Sequence, residues 1–235
     1  VSDTGPTAAF TAAPTSGDEP LTVALTDAST AYDGVAAWSW DFGDGASSTN
    51  QHPNHEYIQE GTYTVTLTVE DSDGNQDTET KVGYINVGNA APAANAGGPY
   101  EGNEGSAITL DASGSSDPAS DPLIYAWDLD DDGAYDDATG VSVSNTWSSD
   151  GVYTVTVMVE DTGGLTDTAS ALVTVNDVAP DVNFTAVPLS GTEPLTVAFT
   201  DASTPGPDGI NEWLWDFGDG ATSSDENPSH TYDQD

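Results

Sequence analysis

Asp128, Asp130 and Asp132 alternate along the stretch Asp128-Leu-Asp-Asp-Asp-Gly133, which continues through Ala134 and Tyr135 to Asp136 and Asp137. With Asp128 counted as position 1, carboxylates fall at 1, 3, 5 and 9 and glycine at 6. This matches the front half of an EF-type calcium loop. Calcium takes six to eight oxygens, alternating side chains around a tight turn supply them, and the glycine lets the chain turn. Ala134 offers its backbone carbonyl at position 7. Thr139 stands at position 12, where such a loop carries a bidentate Glu, so that ligand must come from elsewhere, with Asp137 the nearest carboxylate. The competing reading is a solvated acidic loop, because a chain this rich in Asp makes such clusters by composition alone. Calcium is the cofactor that the spacing points to.

Other arrangements carry less chemistry. Trp40 to Gly45, WDFGDG, sets two carboxylates among glycines, as do Trp215 to Gly220. Asp and Gly are turn formers, and the Trp is the inward anchor of the strand leading in, so the segment reads as a structural turn. Glycoside hydrolysis by paired carboxylates needs a cleft and one raised pKa, which a narrow turn does not offer. The histidines are His52, His55 and His230. His52 and His55 have no third ligand at zinc-like spacing, and His55 and His230 hold equivalent positions, which marks them as packing or turn residues. Cysteine is absent, and no Ser-His-Asp pattern, nucleophile elbow or phosphate-cradling glycine loop occurs. No catalytic residue is assigned, and an enzyme is not expected. Asn183-Phe-Thr185 is an N-glycosylation acceptor sequence, whereas Asn227 is followed by Pro.

The charge is extreme. Forty-one acidic residues face a single basic one, Lys81, for a formal net charge of −40. Nucleic acid and anionic membranes are excluded as direct partners, since both require positive patches. With 36% hydrophobic and 9% aromatic residues in regular alternation, the chain reads as folded and not disordered. Self-repulsion is screened over about 10 Å at 0.1 M salt and about 3 Å at 1 M, so the fold is expected to need concentrated salt. Such a surface is similar to those of proteins from extreme halophiles, haloarchaea in particular. No run approaches the ~20 apolar residues of a membrane span, and the first residues do not read as a signal peptide.

The elements that position these residues recur. FTAAPTSGDEPLTVALTDAST from Phe10 returns as FTAVPLSGTEPLTVAFTDAST from Phe184, and GTYTVTLTVEDSDG from Gly61 matches GVYTVTVMVEDTGG from Gly151. Trp40, Trp127 and Trp215 lie 87 and 88 residues apart. Three units follow: 1–88, 89–177 and 178–235. Within a unit the period is two. Leu21, Val23 and Leu25 alternate with Thr22, Ala24 and Thr26, and Tyr63, Val65, Leu67 and Val69 alternate with threonines. Strands with one buried face, separated by Gly, Asp, Asn and Pro, predict antiparallel β-sandwiches and no helix of useful length. The linkers, Gly88 to Pro92 and Asn176 to Pro180, are short and contain proline, which predicts a semi-rigid rod.

WDFGDG followed by HEYIQEGTYTVTLTVEDSDG resembles the PKD (polycystic-kidney-disease type) repeat, and the resemblance extends over the chain. The third unit keeps WDFGDG and HTY, and the second keeps the looser WDLDDDG and GVYTVTVMVED. The resemblance implies tandem Ig-like all-β sandwiches of the kind found in surface-layer proteins, adhesins, and spacers of secreted proteases and chitinases. It implies no catalytic activity. It also implies a second calcium set, as in PKD repeats of secreted collagenases: Asn89, Asp117, Asp121 and Asp161 in the second unit, with Asp33 and Asp71 the matching positions in the first.

The third unit stops at Asp235, without a GTYTVTLTVED strand. A sandwich lacking it would expose unpaired backbone. The reading favours a longer native chain over strands donated by another copy. The expected function is a non-catalytic extracellular stalk, sheath, surface layer, filament or adhesin, contacting its own copies, other surface proteins or polysaccharide. The alternatives are an accessory region of a secreted hydrolase, or a fibre or decoration protein of a virus infecting a halophile.

Overall fold

A computed structural model describes residues 5–233. The first repeat contributes β1 (Phe10–Ala13), β2 (Ser16–Asp18), β3 (Leu21–Asp27), β4 (Val35–Asp41), β5 (Ser47–Ser48), β6 (Asn54–Tyr57), β7 (Gly61–Asp71) and β8 (Gln76–Gly88). They form two sheets, ordered β1-β3-β6 and β2-β8-β7-β4-β5. The second repeat holds β9 (Tyr100–Asn103), β10 (Ala107–Asp111), β11 (Ile124–Asp128), β12 (Ala138–Thr139), β13 (Ser142–Thr146), β14 (Gly151–Glu160) and β15 (Thr166–Asn176). Its sheets are β10-β13 and β12-β11-β14-β15-β9. The third holds β16 (Phe184–Val187), β17 (Leu195–Asp201), β18 (Trp215–Asp216), β19 (Thr222–Ser223) and β20 (Ser229–Tyr232), as sheets β16-β17-β20 and β18-β19. One bridge recurs in all three repeats, as Thr7 to Thr30, Ala93 to Ser116 and Asp181 to Thr204. No helix occurs among the described residues.

The fold is the expected all-β, Ig-like one, with one difference in pairing. β2 runs parallel to β8, and β9 runs parallel to β15. The chain leaves β1 on one sheet and after two residues, Pro14 and Thr15, lies along the last strand of the other. A strand of three polar residues, Ser16-Gly17-Asp18, carries no alternation that would announce this.

Alternation sets the core. Along β3, Leu21, Val23 and Leu25 are buried while Thr22, Ala24 and Thr26 are exposed. Val65, Leu67 and Val69 of β7 are wholly buried in one cluster with Trp40, the cross-strand partner of Leu67, whose ring meets Phe10 edge-on at 5.2 Å. Each such aliphatic side chain removed from water contributes about 1.5–3 kcal/mol. On the wet face threonine hydroxyls pair across strands, Thr66 with Thr80 at 3.1 Å and Thr68 with Thr78 at 2.8 Å. The polar face is thereby knitted without ion pairs. The second repeat repeats the plan around Leu110, Trp127, Val155, Val157 and Val173.

Contacts group the chain into two compact units. One runs to Asn95 and takes in Gly114–Ala126 and Val157–Ala169, and the other holds Ala96–Ser113, Trp127–Thr156 and the chain from Ser170.

Candidate functional site

β11 ends at Asp128 and hands the chain to the acidic loop. Positive φ at Asp131 (61°) and Gly133 (88°) closes the turn, conformations that glycine adopts freely and Asp tolerates. Asp128 is 4% exposed. Its Oδ1 accepts from the N–H of Asp131 at 2.7 Å and its Oδ2 from that of Gly133 at 2.9 Å. Asp137 Oδ2 accepts from Leu129 N–H at 2.6 Å, which turns the Asp137 carboxylate back into the loop. Asp128, Asp130 and Asp137 thus converge, with one oxygen from each lying within 4.8 Å of the others. Desolvation and then the charges of Asp132, Asp137 and Asp128 push the Asp130 carboxyl above its ordinary value. A divalent cation would relieve that repulsion. Asp132 and Asp136 are not in the convergent set, and Asp132 instead caps Ala134 N–H at 2.7 Å.

The other set, Asn89, Asp117, Asp121 and Asp161, is joined by hydrogen bonds. Asn89 Nδ2 donates to Asp161 Oδ2 at 3.0 Å, Thr162 Oγ1 to Asp121 Oδ2 at 3.2 Å, and Asp121 N–H to Asp117 Oδ1 at 3.1 Å. Asn89 packs so closely over Gly163 that a Cβ there would lie 2.1 Å from its Nδ2. Two oxygens of this set, Asn89 Oδ1 and Asp117 Oδ2, are buried without a hydrogen-bond partner, but the carboxylates of Asp117, Asp121 and Asp161 do not form a convergent group of the kind seen at Asp128. In the first repeat Ser72 Oγ donates to Asp33, and Asp71 accepts from the N–H groups of Asp73 and Asn75. The frame is similar there, with Asn75 Nδ2 donating to Asp71 Oδ2 at 3.0 Å as Asn89 Nδ2 does to Asp161.

The WDFGDG carboxylates serve their own turn. Asp41 accepts from Gly43 N–H and Asp44 from Ala46 N–H, both at 2.9 Å. His55 sits 2.6 Å from Asp44, stacks on Phe42 at 4.1 Å, and is flanked by Tyr57, whose hydroxyl donates to Phe42 O at 3.0 Å. Asp219, His230, Phe217 and Tyr232 repeat the arrangement in the third unit. His52 lies apart and accepts from Asp27 N–H at 3.1 Å through Nδ1. Asn183 and Thr185 are exposed at the start of β16. Trp147 is only 7% exposed, which removes it as an open aromatic platform for sugar.

Sequence reasoning passed over two residues. Glu19 and Glu104 are 3% and 2% exposed, and each has one buried carboxylate oxygen without a hydrogen-bond partner, Oε1 in Glu19 and Oε2 in Glu104. The available signal was positional, since both close the short parallel edge strand of their repeat.

A family model for the PKD domain matches residues 3–87, 89–175 and 177–235. Over 79 residues, a third of this chain and 9% of the relative, the sequence is 39% identical to the pre-pro-metalloprotease PrtV of Vibrio cholerae. Over 49 residues, 20% of this chain and 5% of the relative, it is 53% identical to collagenase ColA of Bacillus cereus. The chain therefore spans less than a tenth of these relatives' lengths. The crystal structure of the PKD1 domain of Vibrio anguillarum Epp aligns over 37% of this chain and 100% of its own length, at 32% identity and a TM-score of 0.33.

Proposed function

The chain belongs to the PKD domain family, and from that membership we propose that it serves as a non-catalytic extracellular structural region. Short proline-containing linkers join its modules into a semi-rigid stalk, sheath, surface layer or filament. The observation that carries the reading is the family match across all three units, in a chain whose recurring acidic turn spends its carboxylates on its own backbone. Its −40 charge holds water and cations at the surface, as suits a halophile's exterior. Calcium at Asp128, Asp130 and Asp137, and at the Asn89 set, stiffens it by binding only the ordered state. Asn183 is a glycan acceptor. The partners on this reading are further copies of the chain or neighbouring surface proteins.

Electron microscopy of the chain in molar KCl, with calcium or with a chelator, tests this. Ordered filaments or sheets are expected, and separate particles under both conditions would overturn the assembly reading. A second reading, an accessory region of a secreted hydrolase, draws on the metalloprotease and collagenase among the relatives. Co-sedimentation with collagen fibrils or insoluble polysaccharide would favour it.

A further inference from the structure

Glu104 is the most deeply buried carboxylate of the second repeat for which the fold supplies too few donors. Its N–H donates to Asn176 O at 3.0 Å, which fixes the residue against the end of β15. Its Oε1 accepts from Val178 N–H at 3.0 Å, in the linker to the third repeat. Its Oε2 is buried and has no hydrogen-bond partner. An ionised carboxylate out of water costs several kcal/mol unless a positive charge compensates it. Lys81, the chain's one basic residue, is engaged with Phe10 and Glu79 in the first repeat. The surroundings of Glu104 are instead negative. Asp150, just before β14, and Asp208, in the β17–β18 loop of the third repeat, each bring an oxygen within 4.8 Å of its own and of each other. The approach is built in. A Cβ on Gly105 would lie 2.9 Å from Pro207 Cγ, and one on Gly206 would lie 2.1 Å from Val178 O.

Part of the construction recurs at the preceding linker, where Glu19 is buried with one carboxylate oxygen unpartnered. Glu19 N–H donates to Gly88 O at 2.9 Å, as Glu104 does to Asn176. Glu60, just before β7, holds the position of Asp150. Burial, and then the charges of Asp121 and Glu60, push the Glu19 carboxyl up. Glu193 is the corresponding residue of the third repeat and is exposed.

We propose that the linker between the second and third repeats is a divalent-cation clamp, in which Glu104, Asp150 and Asp208 hold one ion. Three carboxylates without nitrogen or sulfur select a hard cation, with calcium the fitting one because it accepts irregular all-oxygen shells completed by water. The clamp is separate from the Asp128 loop and takes one ligand from the following repeat, so that the ion ties consecutive repeats together at their joint.

The test uses the full chain in molar KCl with calcium chloride or EGTA, reading bound calcium by equilibrium dialysis and unfolding by calorimetry. D150N combined with D208N alters only exposed side chains, and it should lose one bound calcium per chain or weaken it at least about tenfold, the loss seen even for residues behind a metal ligand. E104Q should melt no lower than wild type in EGTA, because it removes an uncompensated charge, and should lose part of the stabilisation that calcium gives. E193Q should change neither reading. Unaltered calcium stoichiometry and affinity in D150N/D208N would overturn the proposal. So would an E104Q deficit of equal size with and without calcium, which would make Glu104 a structural cap. Should E104Q fail to fold, the exposed pair decides. The outcome does not depend on whether the Asp128 loop binds.

Discussion

The ammonium group of Lys81 lies 4.6 Å from the centre of the Phe10 ring. It is also 4.8 Å from the ring of Tyr84, donates to Phe10 O, and stands 3.8 Å from Glu79, which accepts from Phe10 N–H at 2.8 Å. The only cation among 42 formally charged Asp, Glu, Lys and Arg residues is thus spent on fixing β1 over β8. K81M should destabilise the first repeat by about 1–2 kcal/mol, the sum of a cation–π contact and a charged hydrogen bond, both reduced by partial exposure. K81R should retain much of this. Urea unfolding in molar salt reads both variants, and a K81M midpoint equal to wild type would refute the role.

The Asp44–His55 pair makes a pH prediction. Burial alone would push the Asp44 carboxyl up, but the Ala46 N–H and the His55 ring outweigh it and hold the group below its ordinary value. A depressed folded-state pKa contributes stability that is present above the unfolded value, about 3.9, and is lost as pH falls through the folded one. D44N keeps the acceptor for Ala46 and removes the charge. Its deficit relative to wild type should be present at about pH 5 and shrink as pH falls below about 4. A deficit that stays undiminished from about pH 5 to below about pH 3 would show that the charge is not what stabilises the turn.

Much of the fold was legible in the sequence because the buried face announces itself. The alternation at Leu21, Val23 and Leu25 gives β3, and that at Val65, Leu67 and Val69 gives β7. The acidic loop was legible in part: spacing singled out Asp128 and Asp130, but spacing alone does not say that Asp132 turns to cap Ala134 while Asp137 folds back through Leu129. Glu19 and Glu104 were invisible for a different reason. In a chain with 41 acids, one Glu before a proline or glycine looks like any other. Its burial comes from the strand and linker that close over it, and those are tertiary facts. Phe184 shows the converse: it has the sequence setting of Phe10, yet it is 52% exposed where Phe10 is 2%.

Gly43 and Gly218 occupy the same place in the WDFGDG turn and have nearly equal φ, 84° and 86°. A Cβ on Gly43 would lie 2.4 Å from Thr64 O on β7, whereas one on Gly218 meets nothing within 4 Å. G218A should therefore cost only the left-handed backbone penalty, about 1–2 kcal/mol. G43A should cost that and a clash against a strand that cannot retreat, about 3 kcal/mol or more. Paired melting curves measure the difference, and equal costs would mean that β7 yields at Thr64.

The −40 charge makes one prediction for salt and another for calcium. Monovalent salt shortens the range of repulsion, and below about 0.5 M the Debye length again spans neighbouring carboxylates, so the melting temperature should fall steeply there. Calcium is expected to restore part of it by binding only the folded loop, about 2.7 kcal/mol at a hundredfold excess over the dissociation constant. In D128N/D130N that restoration should shrink, while the dependence on KCl should stay nearly as steep, since two charges of the many are gone. The Asp128 substitution also replaces an acceptor for Gly133 and Asp131 N–H, so D130N alone, on the exposed carboxylate, separates lost binding from a loosened turn. If D130N leaves the calcium response intact, the convergent carboxylates are a solvated acidic turn. If the wild-type melting temperature ignores both salt and calcium, repulsion does not govern the stability of this fold.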